Sequence, residues 1–307
     1  MIMKTITVFT PTFNRAYCLH QLYESLCRQT CPDFLWLIID DGSSDGTDAL
    51  VKSWIAEGNI EIQYHYKDNG GMHTGHNLAY KLIETELNVC IDSDDYMTND
   101  AIEKILSFWK ANGSESCGGI YALDVDRNGA ITGEKFPDDL RSFKGWGCKI
   151  IIYGDHNEKR VKITGDKKFI SVTEKLKKYP PIPVFENEKY YSLYYKQYFI
   201  ERDYTMLILN EPVCVVEYLA DGSSLNMYSQ YVINPKGFMH LRLLMLEMCP
   251  LFSIKFTQAI HYINSSLILK DYKIFKSRGN ELLILLALPF GIALHLVTMY
   301  KFNQKSR

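Results

Sequence analysis

The feature that most constrains this chain is an alternation of two periods. Across residues 1–112, short β-branched and apolar runs alternate with runs whose apolar residues recur at helical spacing. The runs Thr5–Phe9, Phe34–Ile39, Ile60–Tyr66 and Val89–Ile91 read as strands. Tyr17–Gln29, Asp48–Glu57, a run through Leu78, Leu82 and Ile83, and Ala101–Asn112 read as helices. Alternation of this kind builds βαβ units and a largely parallel sheet. Ligands of such sheets bind beyond the carboxyl ends of the strands, so the segments leaving those ends are where chemistry is expected.

The first strand leaves through Thr10-Pro11-Thr12-Phe13-Asn14-Arg15, where Pro11 removes a backbone donor. The second leaves through Asp40-Asp41-Gly42-Ser43-Ser44-Asp45-Gly46-Thr47. Its glycines let the backbone approach a ligand closely, and Asp45 or Thr47 suits the cap of the next helix. After the third strand, Lys67–Asn77 is glycine-rich and opens a helix whose amides suit phosphate, although no Walker or dinucleotide glycine pattern is present. His73 and His76 have no third ligand nearby in sequence, which disfavours a metal pair. The fourth strand runs through NVCIDSDDY, Asn88 to Tyr96, into Asp92, Asp94 and Asp95 around Ser93. Asp92 and Asp94 share a side if the strand continues through them. Converging carboxylates suit Mg²⁺ or Mn²⁺ shared with substrate phosphates; alone, the triplet would serve equally as a solvated turn before the next helix.

The remainder of the chain is less regular. Ser114–Gly165 reads as β-rich, with a strand at Gly118–Asp124 and a turn at Asp126-Arg127-Asn128-Gly129. Lys167, Lys168, Lys177 and Lys178 read as a solvated face. Pro180, Pro181 and Pro183 break the chain before Glu186 and Glu188, and six tyrosines follow from Tyr190 to Tyr204, suited to a sugar site or to core packing. Asn210–Tyr218 reads as a strand that ends near Asp221, and Phe238–Met248 as an amphipathic helix. Residues 282–299 are apolar, interrupted by Pro289-Phe290-Gly291 and followed by Lys301, Lys305 and Arg307. That pattern predicts a kinked helical hairpin or a segment lying in a membrane interface, with a homodimer contact or ordinary core packing as the other readings.

A net charge of −2 gives no support for nucleic-acid binding. Eight cysteines without CxxC spacing suit a reducing compartment, and no secretory h-region opens the chain, so a cytoplasmic location is expected. The expected organisation is a domain over 1–230, with a nucleotide half 1–112 and an acceptor half 113–230, and a helical region over 231–307.

TPTFNRA at 10–16, IIDDGSSDGT at 38–47 and IDSDD at 91–95 together resemble the family 2 glycosyltransferases, and FENEK at 185–189 with EYLADGSS at 217–224 resembles the acceptor half of capsule and cell-surface polysaccharide transferases. The resemblance implies a GT-A fold, α/β and Rossmann-like, with a mostly parallel central sheet and a helical C-terminal appendage. It implies inverting transfer from a nucleotide-sugar, most often a UDP-sugar, to a glycan or lipid-linked acceptor, with Mn²⁺ or Mg²⁺ and peripheral contact with the inner face of the cell membrane. Pro11, Thr12, Asn14 and Arg15 would line the nucleotide site, Asp41 would accept from the base, and Asp40 would support that loop. Asp92, Ser93 and Asp94 match the DxD stretch, Asp94 being the better metal ligand, with Asp95 orienting it. Asn69, Gly70, Gly71, His73 and Asn77 would stand beside the nucleotide and donor sugar, while Met72 replaces a residue that is often basic in relatives.

Inverting transfer also needs a carboxylate base on the acceptor side. Glu188 is the first candidate, Glu186 the second and Asp221 the third; relatives often carry another glutamate where this chain has Ser192-Leu193. Two other functions fit the residues less well. A sugar-nucleotidyltransferase would open with a Gly-rich basic loop, which TPTFNRA is not. An idle glycan- or nucleotide-binding scaffold at the membrane would not need intact acids at the strand ends.

Overall fold

The computed structural model describes residues 4–146, 150–153, 159–217, 227–271 and 279–305. The chain forms two compact units, Met1–Pro181 with Lys196–Leu219, and Ile182–Tyr195 with Ala220–Arg307. The segment carrying Glu186 and Glu188 thus groups with the C-terminal helices rather than with the sheet, a division different from the expected one at residue 230.

In the first unit the expected alternation appears as β1 (Ile6–Thr12), α1 (Leu19–Cys27), β2 (Phe34–Asp40), α2 (Thr47–Glu57), β3 (Ile62–Tyr66), α3 (Met72–Leu82), β4 (Leu87–Cys90), β5 (Tyr96–Met97) and α4 (Ala101–Asn112). It continues as β6 (Cys117–Val125), β7 (Ser142–Trp146), β8 (Ile150–Tyr153), β9 (Lys159–Lys162), β10 (Lys167–Val172), α5 (Thr173–Lys177), α6 (Tyr195–Asp203) and β11 (Thr205–Val215). The strands are ordered β3-β2-β1-β4-β10-β6-β11-β7-β8-β9, with β5 on β11. From β3 to β4 the neighbours are parallel, as the crossover helices require. β10 then inserts antiparallel between β4 and β6, and β11 runs parallel to β6.

All seven residues of β1 are buried. Its side chains are buried on both sides of the strand, Thr7, Thr10 and Thr12 included, because helices cover both its faces. On one face Ile6, Val8, Trp36 and Ile38 pack with Leu19, Leu22 and Leu26 of α1, and Tyr23 stacks on Trp54 at 4.4 Å. On the other, Phe9, Leu37 and Ile39 pack with Ala79 and Ile83. Each fully buried Leu or Ile contributes about 1.5–3 kcal/mol, so the layers fix where β1, β2 and β4 end.

The reading of Lys167 and Lys168 as a solvated face does not hold. Both stand on β10 inside the sheet; Lys167 is buried and donates to Thr132 O, Thr164 O and Asp166 O at 3.0–3.1 Å.

The second unit holds α7 (Met227–Ile233), α8 (Pro235–Met248), α9 (Phe252–Ile268) and α10 (Glu281–Lys305). Here too the structure corrects the sequence. Pro289 does not break the apolar stretch into a hairpin, because α10 is one helix of 25 residues with Pro289 inside it. An interior proline costs about 3 kcal/mol, but Ile284 and Ala287 before it and Thr298 after it stay buried. Gly291 also lets α10 approach α9 so closely that a Cβ would lie 2.6 Å from Ile263. Packing along one face holds the helix through the proline. Of the tyrosine run, Tyr191 and Tyr195 are buried and Tyr190 stacks on Phe238 at 5.1 Å, which is core packing.

Candidate active site at the carboxyl edge of the sheet

β1 and β2 end in register at Thr12 and Asp40, and β4 ends alongside at Cys90. Asp41 N donates to Thr12 O at 2.8 Å and joins the two exits. Asn14 follows at a φ of 53°, a left-handed conformation that its short polar side chain tolerates. Its N–H donates to Ser43 Oγ and its Oδ1 accepts from Ser44 N, both at 2.8 Å. Asp45 accepts from Ala16 N at 3.0 Å and from Thr47 N and Oγ1, so it ties the first loop to the start of α2.

Asp40 is fully buried and braces its own loop, accepting from Ser43 N at 2.7 Å and Tyr64 OH at 2.6 Å. Asp41 receives four donors. Oδ1 takes Lys67 Nζ and Gly70 N, the latter at 3.0 Å; Oδ2 takes Gly71 N at 2.8 Å and Asn69 Nδ2 at 3.3 Å. This closure depends on Gly42, whose φ is +88° and whose Cβ, if present, would lie 2.9 Å from Asn69 N. Lys67 carries no motif signal in the sequence, and only its place just past β3 puts it beside this loop. Arg15 lies over Tyr17, 5.7 Å from the ring centroid, while Phe13 and Tyr17 are exposed.

Residues 92–95 form a turn closed by Asp95 N donating to Asp92 O at 3.0 Å, so strand alternation does not set their directions. Ser93 and Asp95 are buried, and Asp92 and Asp94 are partly exposed. Among the described residues no three His, Cys, Asp or Glu side chains form a metal cage by themselves. Two partly exposed carboxylates at a strand end nevertheless fit a hard divalent ion that takes its other ligands from a diphosphate and water. Thr12 Oγ1 and His73 Nδ1 are buried without a hydrogen-bond partner. Such atoms are costly, by about 1–3 kcal/mol each, and mark places that a ligand would complete.

His76, by contrast, is a core residue. Its Nδ1 stands 3.0 Å from Tyr80 OH, its Nε2 3.6 Å from Cys90 Sγ, and burial pulls its pKa down to about 3. Burial likewise lowers His73, so both rings are neutral at pH 7. Asn77 lies on the same helix, partly exposed. Gly75 brings that helix against Pro11, its missing Cβ only 3.3 Å from Pro11 Cβ.

Behind the acidic turn lies a buried charge cluster that sequence reading missed. Lys168 Nζ is 3.6 Å from Asp95 Oδ2 and 3.9 Å from Asp124 Oδ1. Burial raises the pKa of Asp95, and raises that of Asp124 to about 6, in both cases against the attraction of Lys168. The strand period places Lys168 opposite Ala122, two residues from Asp124 on one face of β6, but only the β10–β6 pairing reveals this.

In the second unit Glu188 is buried and both oxygens are engaged. Oε1 accepts from Lys236 N at 2.8 Å and Oε2 from Gly237 N at 2.7 Å, at the first turn of α8. Asn234 Oδ1 accepts from Lys189 N and Tyr190 N at 2.9 and 3.1 Å, tying the same pieces together. Asn187 between the glutamates has a φ of 65°. The extended geometry that would point Glu186 and Glu188 the same way is therefore lost, and Glu186 is exposed. Asp221 lies outside the described residues.

Comparison with known proteins agrees with the architecture. Poly(ribitol-phosphate) beta-N-acetylglucosaminyltransferase TarP of Staphylococcus aureus is 30% identical over 124 residues, covering 40% of this chain and 38% of TarP. Chondroitin synthase of Escherichia coli is 27% identical over 126 residues, 41% of this chain and 18% of the synthase. The match thus spans well under half the length of these relatives. The crystal structure of S. aureus TarS 1–349 in complex with UDP-GlcNAc superposes with a TM-score of 0.56 at 17% identity, covering 94% of this chain and 80% of that one. The mannosyltransferase PcManGT of Pyrobaculum calidifontis, in complex with GDP-Man and Mn²⁺, gives 0.56 at 15% identity over 98% and 84%. At these identities the structures speak for the fold alone, which is the GT-A-like arrangement expected from the sequence. The family model described as glycosyl transferase family 2 matches residues 7–166, more than half of the 307. The match takes in all four strand exits, and the chain belongs to glycosyl transferase family 2.

Proposed function

We propose that this chain moves a sugar from a nucleotide-sugar, a UDP-sugar first of all, to a hydroxyl of a glycan or lipid-linked acceptor, with inversion and metal assistance, in cell-surface polysaccharide synthesis. The observation that carries this reading is the convergence of Thr12, Asp41 and the Asp92–Asp95 turn on one sheet edge, with Thr12 Oγ1 and His73 Nδ1 left without partners. The names of TarP and chondroitin synthase support the substrate class, and the UDP-GlcNAc and GDP-Man complexes support the donor class.

In this reading the nucleobase donates to Asp41 in place of the longest of its present bonds, that from Asn69 Nδ2 at 3.3 Å. Pro11, Thr12, Asn14 and Arg15 flank the nucleoside, and Gly70, Gly71, His73 and Asn77 stand beside the diphosphate and sugar. Asp94, with Asp92 beside it, would hold Mn²⁺ or Mg²⁺, which would supply positive charge at the departing diphosphate. The acceptor oxygen forms the new bond to the anomeric carbon as the carbon–diphosphate bond breaks, and its proton passes to a carboxylate. Base catalysis of this kind is worth about 10²–10⁴-fold. Glu186 takes that role ahead of Glu188, whose two oxygens already hold α8; Asp221 is the other candidate. The exposed apolar face of α10, with Lys301 near its end, supports peripheral contact with an anionic bilayer.

A thermal-shift screen of UDP-, GDP- and dTDP-sugars with Mn²⁺ tests the donor assignment, since bound ligand raises apparent stability. A UDP-sugar is expected to stabilise the wild-type protein, and Asp94→Ala to fold normally yet neither bind donor with metal nor turn it over. Stabilisation by none of the donors, or full turnover by Asp94→Ala with Mn²⁺, sinks the reading.

A further inference from the structure

The Asp92–Asp95 turn concentrates negative charge and carries no cationic side chain of its own. Three carboxylates fall within four residues, and a fourth, Asp124, is buried nearby. Like charges so close together splay apart unless something compensates them. Within the turn, the Asp95 N–H to Asp92 O bond at 3.0 Å closes the loop. Everything else that anchors Asp95 comes from outside it. Asp95 Oδ1 accepts from Glu217 N just past β11 at 3.1 Å, and Asp95 Oδ2 faces Lys168 Nζ at 3.6 Å. Lys168 is only 12% exposed on its side chain and extends from β10, which pairs with both β4 and β6. It therefore sits behind the strand that delivers the turn and beside the strand that carries Asp124.

Asp124 has its own need of this lysine. Its Oδ1 is buried and takes no hydrogen bond, with Lys168 Nζ at 3.9 Å as its ionic partner. One ammonium thus stands between two buried carboxylates, the further one fixed on β6 and the nearer one on the turn. A buried ion pair broken on one side leaves an uncompensated charge; Asp124 stands on β6, which is paired on both sides, whereas Asp95 stands in a turn outside the strand ladder and has the freedom to shift.

We propose that Lys168 is a positioning residue, which through Asp95 holds the Asp92–Asp95 turn in the conformation that presents Asp92 and Asp94 to a metal–nucleotide diphosphate. It touches neither metal nor nucleotide; its effect is to keep the acids pre-organised. The assignment rests on the nucleotide-site reading above.

The test is a double-mutant cycle read by calorimetric binding of UDP, or GDP, with Mn²⁺, beside urea unfolding of the same proteins. Lys168→Met keeps the stem and removes the charge; Asp95→Asn keeps the shape and the acceptor for Glu217 N. Each single variant is expected to weaken metal–nucleotide affinity by about tenfold or more, and the double variant to be no weaker than the worse single. If Lys168→Met does not fold, Lys168→Arg, which keeps the charge, and Asp95→Asn carry the test: Arg is to retain affinity and Asn to lose it. Unchanged affinity in folded Lys168→Met, or in Asp95→Asn, overturns the proposal, as do losses that simply add; lowered stability alone marks a structural lysine and overturns it too. A wild-type protein that binds neither nucleotide with Mn²⁺ overturns the nucleotide-site reading and this one with it, whereas wild-type binding with unaffected variants overturns this one alone.

Discussion

Glu188→Gln separates an anchor from a base. In the structure the two oxygens of Glu188 accept from Lys236 N at 2.8 Å and Gly237 N at 2.7 Å. Glutamine keeps the size and one acceptor, but its amide nitrogen must face one of the two N–H donors. One charge-assisted bond worth about 1.5–3 kcal/mol is lost, and the favourable placement of a negative charge at a helix N-terminus removes about 0.3–1 kcal/mol more. Because Glu188 is 7% exposed, water cannot restore the bond, and a total loss of about 2–4 kcal/mol is expected. Urea unfolding of wild type and variant measures it directly, provided the slopes agree. Transfer, measured well below the unfolding midpoint, should fall less than tenfold, while Glu186→Gln should cost at least about 10²-fold with unchanged stability and nucleotide affinity. Wild-type stability in Glu188→Gln together with dead transfer would refute the anchor argument and return the base to Glu188. If both variants are active, Asp221→Asn becomes the decisive substitution.

The other expectations follow from single sites. Asp41→Asn turns one oxygen that receives two donors into a donor itself, so the Gly70 or Gly71 amide should exchange faster and stability fall by about 2–3 kcal/mol, discounted for the partly exposed Lys67; unchanged exchange at both glycines contradicts this. His76 is buried neutral with a pKa near 3 against 6.5 in the unfolded chain. Its contribution is therefore full above about pH 6.5 and declines as pH falls toward 3, by up to about 1.4 kcal/mol per pH unit. His76→Gln should flatten the dependence of the urea midpoint between pH 7.5 and 5, and an equal slope in both proteins rejects the assignment. On α10, Leu286 and Leu296 are 54% and 66% exposed, so Leu286→Glu with Leu296→Glu should leave stability within about 0.5 kcal/mol. The same pair should abolish flotation with anionic vesicles, and unaltered flotation rules out this face as the membrane contact.

Much of the first unit was legible in the order of residues, because local periodicity and strand–helix alternation are nearly sufficient for parallel βαβ units. The buried run Ile6–Thr12, the Asp40-Asp41-Gly42 exit and the IDSDD exit all announced a common edge before any coordinates, and the family resemblance rests on the same three stretches. Periodicity says nothing about which partner a side chain meets. Lys168 reads as one more surface lysine until β10 is seen to insert between β4 and β6, and Glu188 reads as the first candidate base until α8 is seen to begin at its carboxylate. Pro289 reads as a helix breaker because its local cost is real, yet burial along α10 outweighs it. Sequence determined β1 to β4, their parallel direction and the edge they share; long-range pairing alone decided which charges are buried together, since Lys168 and Asp95 lie 73 positions apart in the chain and are brought within 3.6 Å only by the sheet.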